Sequence, residues 1–240
     1  MSDPSFALWV YLSKTPLLWL ALTLLSYAVA DRIAAATGRH PLANPVLMAV
    51  CMIAALLLIT RTPYPVYFNG AQFVHFLLGP ATVALAWPLY ENRSLVRRSL
   101  LPMLVALGLG SVTAILSVVL IARGFGIPAS ILASVAPKSV TAAVAMGIST
   151  SLGGDASLTA VAVIVTGIIG AMVVTPMMNA LGIKDWRARG FAVGIASHGI
   201  GTARAFQVHP IAGTFAGVAM GLNALLTAFL VPIILRALGI

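Results

Sequence analysis

Two short stretches of this 240-residue chain carry the side chains best suited to chemistry. One is Pro137-Lys138-Ser139-Val140-Thr141. The other is Ser197-His198-Gly199-Ile200-Gly201-Thr202-Ala203-Arg204. Together they offer an ammonium, a guanidinium, an imidazole and the hydroxyls of Ser139, Thr141, Ser197 and Thr202, all able to donate to an oxyanion. Arg204 could hold a carboxylate through two parallel hydrogen bonds. His198 could donate to the same anion or relay a proton. A helix beginning beside Pro137 would add free backbone N–H groups and the favourable end of its dipole. Glycines 199 and 201 allow close backbone approach. The structural alternatives are that Lys138 snorkels to an interface and that Arg204 pairs with a loop carbonyl or a lipid phosphate. Asn223, between Gly221 and Thr227, either reaches the same cavity or bonds to a neighbouring helix.

Other chemistry finds little support. The single cysteine, Cys51, gives no internal disulfide and no cysteine metal site. No phosphate loop and no metal-ligand cluster is present, so no metal or cofactor is expected. The five acidic residues make a sodium site difficult to build. Lys138-Ser139 invites a serine–lysine nucleophile, but adjacent residues on one helix do not face each other, so an enzyme is not expected. Asp155, after Gly153-Gly154, reads as a helix N-cap, and Asn44-Pro45 as a helix start.

The elements that must position these groups are membrane helices. About 60% of residues are apolar and 8% charged, against roughly a quarter charged in soluble domains. Such a chain cannot cover a water-facing surface. Six stretches, about 8–30, 42–60, 70–90, 99–122, 156–181 and 211–235, are long and apolar enough to read as spanning helices. Trp9, Tyr11 and Trp19 suit an interfacial belt, Lys14 could snorkel, and Pro80 and Pro88 predict kinks in the third helix. No small-residue cleavage site follows a short apolar core, so the first stretch is expected to stay as a helix. The formal charge of +9 is scattered between apolar runs and reads as topology rather than as a nucleic-acid surface.

The stretches around 124–151 and 188–210, which hold the reactive motifs, are less apolar. Each has two short arms about a polar middle, the length of half-helices. If both crossed the membrane, Arg93, Arg97 and Arg98 would lie opposite Lys184, Arg187 and Arg189. If both are re-entrant hairpins, these residues join Arg32 and Arg39 on one side. Lys14, Arg61, Arg123 and Arg236 then remain on the other, eight basic residues against four. The positive-inside rule favours the hairpins. Residues 136–145 also resemble 196–205 at an offset of 60. That suggests an inverted repeat, the alternative being chance similarity among small apolar residues. The expectation is an all-α integral membrane protein with six spanning helices and two broken or re-entrant hairpins. Residues 1–123 would form a scaffold, and 124–240 two hairpin-plus-helix units holding the site.

At Pro137–Thr141, Ser197–Arg204 and the Gly217–Asn223 stretch the sequence resembles the LrgB/CidB family, with Asn44-Pro45 and the Pro80–Tyr90 segment extending the likeness. The resemblance implies one of two roles. One is a holin- or antiholin-like regulator of murein hydrolase activity and membrane permeability. The other is a carrier of small monocarboxylates, since plastid relatives exchange glycolate and glycerate and bacterial relatives are linked to pyruvate. It also implies a four-helix LrgA/CidA-like membrane partner. Some relatives carry a glutamate where this chain has Gly147, which leaves the coupling mode open. The expectation taken forward is a carrier of the glycolate, glycerate, pyruvate or lactate class. It would be multi-pass in the cell inner membrane and a homo-oligomer. Lys138 and Arg204 would neutralise the anion, and Ser139, Thr141, Ser197, Thr202, His198 and Asn223 would surround it.

Overall fold

The computed structural model describes residues 15–240, and every regular element among them is helical. The Lys14, Trp9 and Tyr11 expectations therefore lie outside the described residues. Backbone contacts divide the chain into two units, up to Ala84 and from Leu85 onward.

The first unit contains α1 (Pro16–Ala36), α2 (Pro45–Thr60), α3 (Tyr64–Phe76) and α4 (Leu78–Ala84). Asn44 caps α2, its Oδ1 accepting from the N–H groups of Val46 and Leu47 at 2.9 and 3.1 Å. Trp19 is fully buried, its ring edge-on to Tyr67 at 6.0 Å. This corrects its reading as a belt residue: Gly70, which leaves no room for a Cβ against the α1 backbone, draws α3 onto that face.

The second unit contains α5 (Ala86–Glu91), α6 (Arg93–Arg98), α7 (Leu100–Gly124), α8 (Ala129–Val135), α9 (Ala142–Ser151), α10 (Ala156–Ala180), α11 (Trp186–Val208) and α12 (Pro210–Ala237). Kinks are present near Pro80 and Pro88, each a one-residue interruption, at Leu77 and Leu85, with the backbone still right-handed helical. Helix α3 ends at Phe76 and α4 at Ala84, the residues four before each proline, whose carbonyls the proline rings displace. Five described segments are long and apolar enough to cross a membrane: 16–36, 64–91, 100–124, 156–180 and 210–237. The sixth expected span forms α2, a shorter apolar helix of 16 residues.

Both broken stretches double back. A straight 23-residue helix is about 34 Å long, yet the rings of Trp186 and His209, at the two ends of α11, stack at 4.8 Å and 4°. The reversal is at His198, where φ is 40° and ψ −135°. Residues 186–197 run inward alongside α12, with Gly190 against Ala212 and Gly194 against Ala216. Residues 199–208 return, so that Phe206 meets Gly213. In the other hairpin, α8 enters, the chain turns at 136–141, and α9 leaves. Ser134 and Ser149 both meet Thr159, whose hydroxyl lies 2.9 Å from the Ser134 carbonyl and 2.8 Å from Ser149 Oγ.

The hairpins enter from opposite ends of this unit. Arg187 Nη1 reaches Ser99 Oγ at 3.4 Å, and Arg189 donates to Asn179 and to the Ile183 carbonyl. The start of α7, the end of α10 and the base of the α11 hairpin are thus together. At the opposite end, Arg123 donates to the Leu238 carbonyl at 2.6 Å, and the Asp155 N–H to Ser134 Oγ at 2.8 Å. Arg98 and Arg187 therefore share a side, as the re-entrant reading of the charges requires.

Candidate functional site

The two hairpin tips meet at one side chain. Asn223 is the fourteenth of the 28 residues of α12 and is 1% exposed. Its Nδ2 donates to the Ser139 carbonyl at 3.3 Å and to the Ile195 carbonyl at 3.0 Å. Its Oδ1 accepts from Ser111 Oγ at 2.7 Å and Thr227 Oγ1 at 3.2 Å. A helix that stops inside a membrane leaves its last carbonyls unpaired, and hydrocarbon offers no donor. Asn223 supplies one such donor to each hairpin.

The second tip also docks on α10. His198 Nε2 lies 2.9 Å from the Val163 carbonyl, and Thr202 Oγ1 donates to the His198 carbonyl at 2.8 Å. A Cβ at Gly167 would come within 2.6 Å of the His198 ring, and one at Gly170 would overlap Ser197 Oγ. These two glycines form the seat for the tip. The offset of 60 that relates Lys138 to His198 also relates Val163 to Asn223. Under it, the contact of His198 with Val163 corresponds to one of residue 138 with 223. The observed contact, Ser139 with Asn223, is one residue away.

The expected site residues therefore divide. Ser139, Ser197, His198, Thr202 and Asn223 are buried at the junction, and most of their polar atoms bond within it; Ser197 Oγ has no hydrogen-bond partner among the described residues. Lys138 and Thr141 are half-buried at the first turn. Thr141 is the N-cap of α9 but makes no side-chain cap, and the Lys138 ammonium has no hydrogen-bond or ion-pair partner among the described residues, although its backbone N–H donates to the Val135 carbonyl at 3.2 Å. Arg204 stands six residues past His198, about 9 Å along the returning arm. There it lines a small pocket with Val174, Thr175, Met178 and Arg189, and its Nη1 reaches Gln207 Oε1 at 3.5 Å. Asp155 caps α10, accepting from the Leu158 N–H at 2.7 Å. Gly147 is exposed, and nothing lies within 4 Å of a Cβ there, so this position does not touch the junction.

Sequence reasoning missed the fully buried Ser134–Ser149–Thr159 cluster and the partner Ser111. Their one signal is a hydroxyl residue within an apolar helix, which is common and says nothing of its partner. It also missed a cavity of about 760 Å³ between α7 and residues 186–197, running from Arg98 and Arg187 inward to Thr113 and Ala196. At its mouth, the hydrogen bond from Arg187 holds the Asp185 carboxyl below its usual range.

Residues 23–237 match the family described as LrgB-like. The chain belongs to the LrgB-like family. Among its relatives, this LrgB-like chain is 31% identical to the Holin-like protein CidB of Staphylococcus epidermidis over 91% of its own length and 95% of that protein's. It is 30% identical to the Holin-like protein CidB of Staphylococcus aureus over the same shares. It is 34% identical to the protein YxaC of Bacillus subtilis over 81% and 84%. No solved structure matches the LrgB-like chain.

Proposed function

We propose that this chain is a secondary carrier of small monocarboxylates of the glycolate, glycerate, pyruvate or lactate class. It would work in the cell inner membrane with an LrgA/CidA-like partner. One observation carries the reading: two hairpins from opposite ends meet at the centre of α12, with the uncommitted ammonium of Lys138 beside the uncapped start of α9. Oppositely oriented broken helices meeting at mid-depth are the plan of many secondary transporters, and half-helix N-termini there favour anions. Lys138 and Thr141 would meet the carboxylate first. The buried residues of the junction would hold the tips in place around it, and Arg204 would lie on the exit path along the returning arm.

The test is uptake of labelled glycolate, pyruvate and lactate into proteoliposomes, with and without the partner. A hydrogen bond to a charged group contributes about 1.5–3 kcal/mol. Lys138→Ala should therefore raise the half-saturation concentration about tenfold to a hundredfold. Uptake unchanged by Lys138→Ala would remove the substrate from this turn. Uptake lost in Lys138→Ala and kept in Arg204→Ala would confine the site to the first tip.

A second reading is favoured by the name Holin-like protein carried by the two staphylococcal relatives. Here the chain assembles into oligomers and alters permeability without a defined substrate. Its signature is leakage of unrelated dyes that neither Lys138→Ala nor Arg204→Ala changes.

A further inference from the structure

The cavity between α7 and residues 186–197 has a chemistry unlike that of the hairpin junction. Its walls are Ala106, Gly110, Phe191, Ile195 and their apolar neighbours, and Thr113 is the polar side chain deepest along α7. A small hydrophilic acid would lose its hydration there without replacement partners. The mouth is different: it carries the guanidinium groups of Arg98 and Arg187 and the carboxylate of Asp185, a net charge of +1. Arg187 is paired with Asp185 at 2.5 Å, whereas Arg98 is exposed and has no hydrogen-bond or ion-pair partner among the described residues. From Leu100, next to the cap after Arg98, to Thr113 is 13 residues along α7, about 20 Å. One leaflet's hydrocarbon is about 15 Å deep, and its headgroup layer adds about 5–7 Å. The cavity thus has the depth of one leaflet, a cationic end at headgroup level and apolar walls below. Basic pockets between membrane helices on the side rich in Lys and Arg suit anionic lipid headgroups.

We propose that this cleft is a binding site for one anionic phospholipid. Its phosphodiester, with a single negative charge, sits between Arg98 and Arg187. One acyl chain lies along Ala106 and Gly110 and ends beside Ala196. The lipid would then pack against the inward arm of the hairpin, two residues from His198, and brace it against α7.

The experiment is native mass spectrometry of the full chain in mild detergent, titrated with phosphatidylglycerol, phosphatidylcholine or glycerol 3-phosphate. The expected result is one phosphatidylglycerol retained per chain, with about tenfold preference over phosphatidylcholine and no displacement by glycerol 3-phosphate. Arg98→Gln should reduce that preference severalfold while leaving lipid able to bind. Ala106→Trp fills the cleft from an exposed position on α7 and keeps both arginines, so it should abolish retention of either lipid. Equal retention in Ala106→Trp would overturn the proposal, because the lipid would then lie elsewhere. Equal retention of the two lipids, or displacement by glycerol 3-phosphate, would overturn it as well. So would a lipid-free dimer that Ala106→Trp breaks, which would make a second copy the occupant.

Discussion

Asn223 satisfies four groups at once, and its two donors go to the tips of two different hairpins. Replacing it with leucine of similar volume leaves the Ser139 and Ile195 carbonyls without a donor at membrane depth. A buried group left unsatisfied costs about 1–3 kcal/mol. Asn223→Leu should therefore destabilise by about 2–5 kcal/mol, lowering the midpoint of thermal unfolding in detergent by about 5–15 °C. Asn223→Asp keeps both acceptor contacts and loses both donors, and should recover little of this. An unchanged midpoint in the leucine variant would mean that the tips are held by packing alone. His198 is the other special residue, since a positive φ is unusual for a side chain with a Cβ. Its ring contact with Val163 and its carbonyl contact with Thr202 hold the backbone in that conformation.

At the scale of elements, the fit of the α11 tip to α10 depends on Gly167 and Gly170. Gly170→Ala forces a Cβ into Ser197 Oγ and should destabilise by about 1–3 kcal/mol, as overpacking does. Ser197→Gly removes the obstruction, so the double variant should regain most of the loss, a coupling of about 0.5–3 kcal/mol in a thermal-unfolding cycle. Additive effects would show that the tip does not sit on this groove. The hairpins were legible because their signals are local: polar residues, Pro137 and paired glycines interrupt apolar runs, and half-helix arms are too short to span. The junction was legible only as a set of residue types. Which tip group meets which helix depends on the register of α10 and α12, and apolar helices in hydrocarbon carry no amphipathic stripe to set that register in sequence. Hence Lys138 and Arg204 looked like partners, although Arg204 is displaced about 9 Å along its arm by simple helical rise. Trp19 was misread for a related reason: a tryptophan near a helix start suits the interface until a neighbouring glycine buries it.

For the whole molecule, the arrangement makes a topological statement that can be measured. Arg98 and Arg187 share one face of the second unit, while Arg123 and Leu238 share the other. Single cysteines at these four positions, in a chain with Cys51 replaced, should react with a membrane-impermeant thiol reagent in two pairs. The second pair should react when the reagent is added to intact cells, the first only in opened cells or inside-out vesicles. Labelling of positions 98 and 187 from opposite sides would mean that the α8–α9 stretch crosses the bilayer after all. The single amide at the centre of α12 has a further consequence. It has two hydrogens, and each is given to a different hairpin. If one tip lifts, one bond is lost and the other hairpin stays anchored; if both lift together, the amide is stranded in an apolar medium. States with one tip detached are therefore lower in free energy than the state with both detached, by about 1 kcal/mol or more. Each hairpin is thus tied to α12 by a bond of its own, and either tip can part from this side chain without releasing the other.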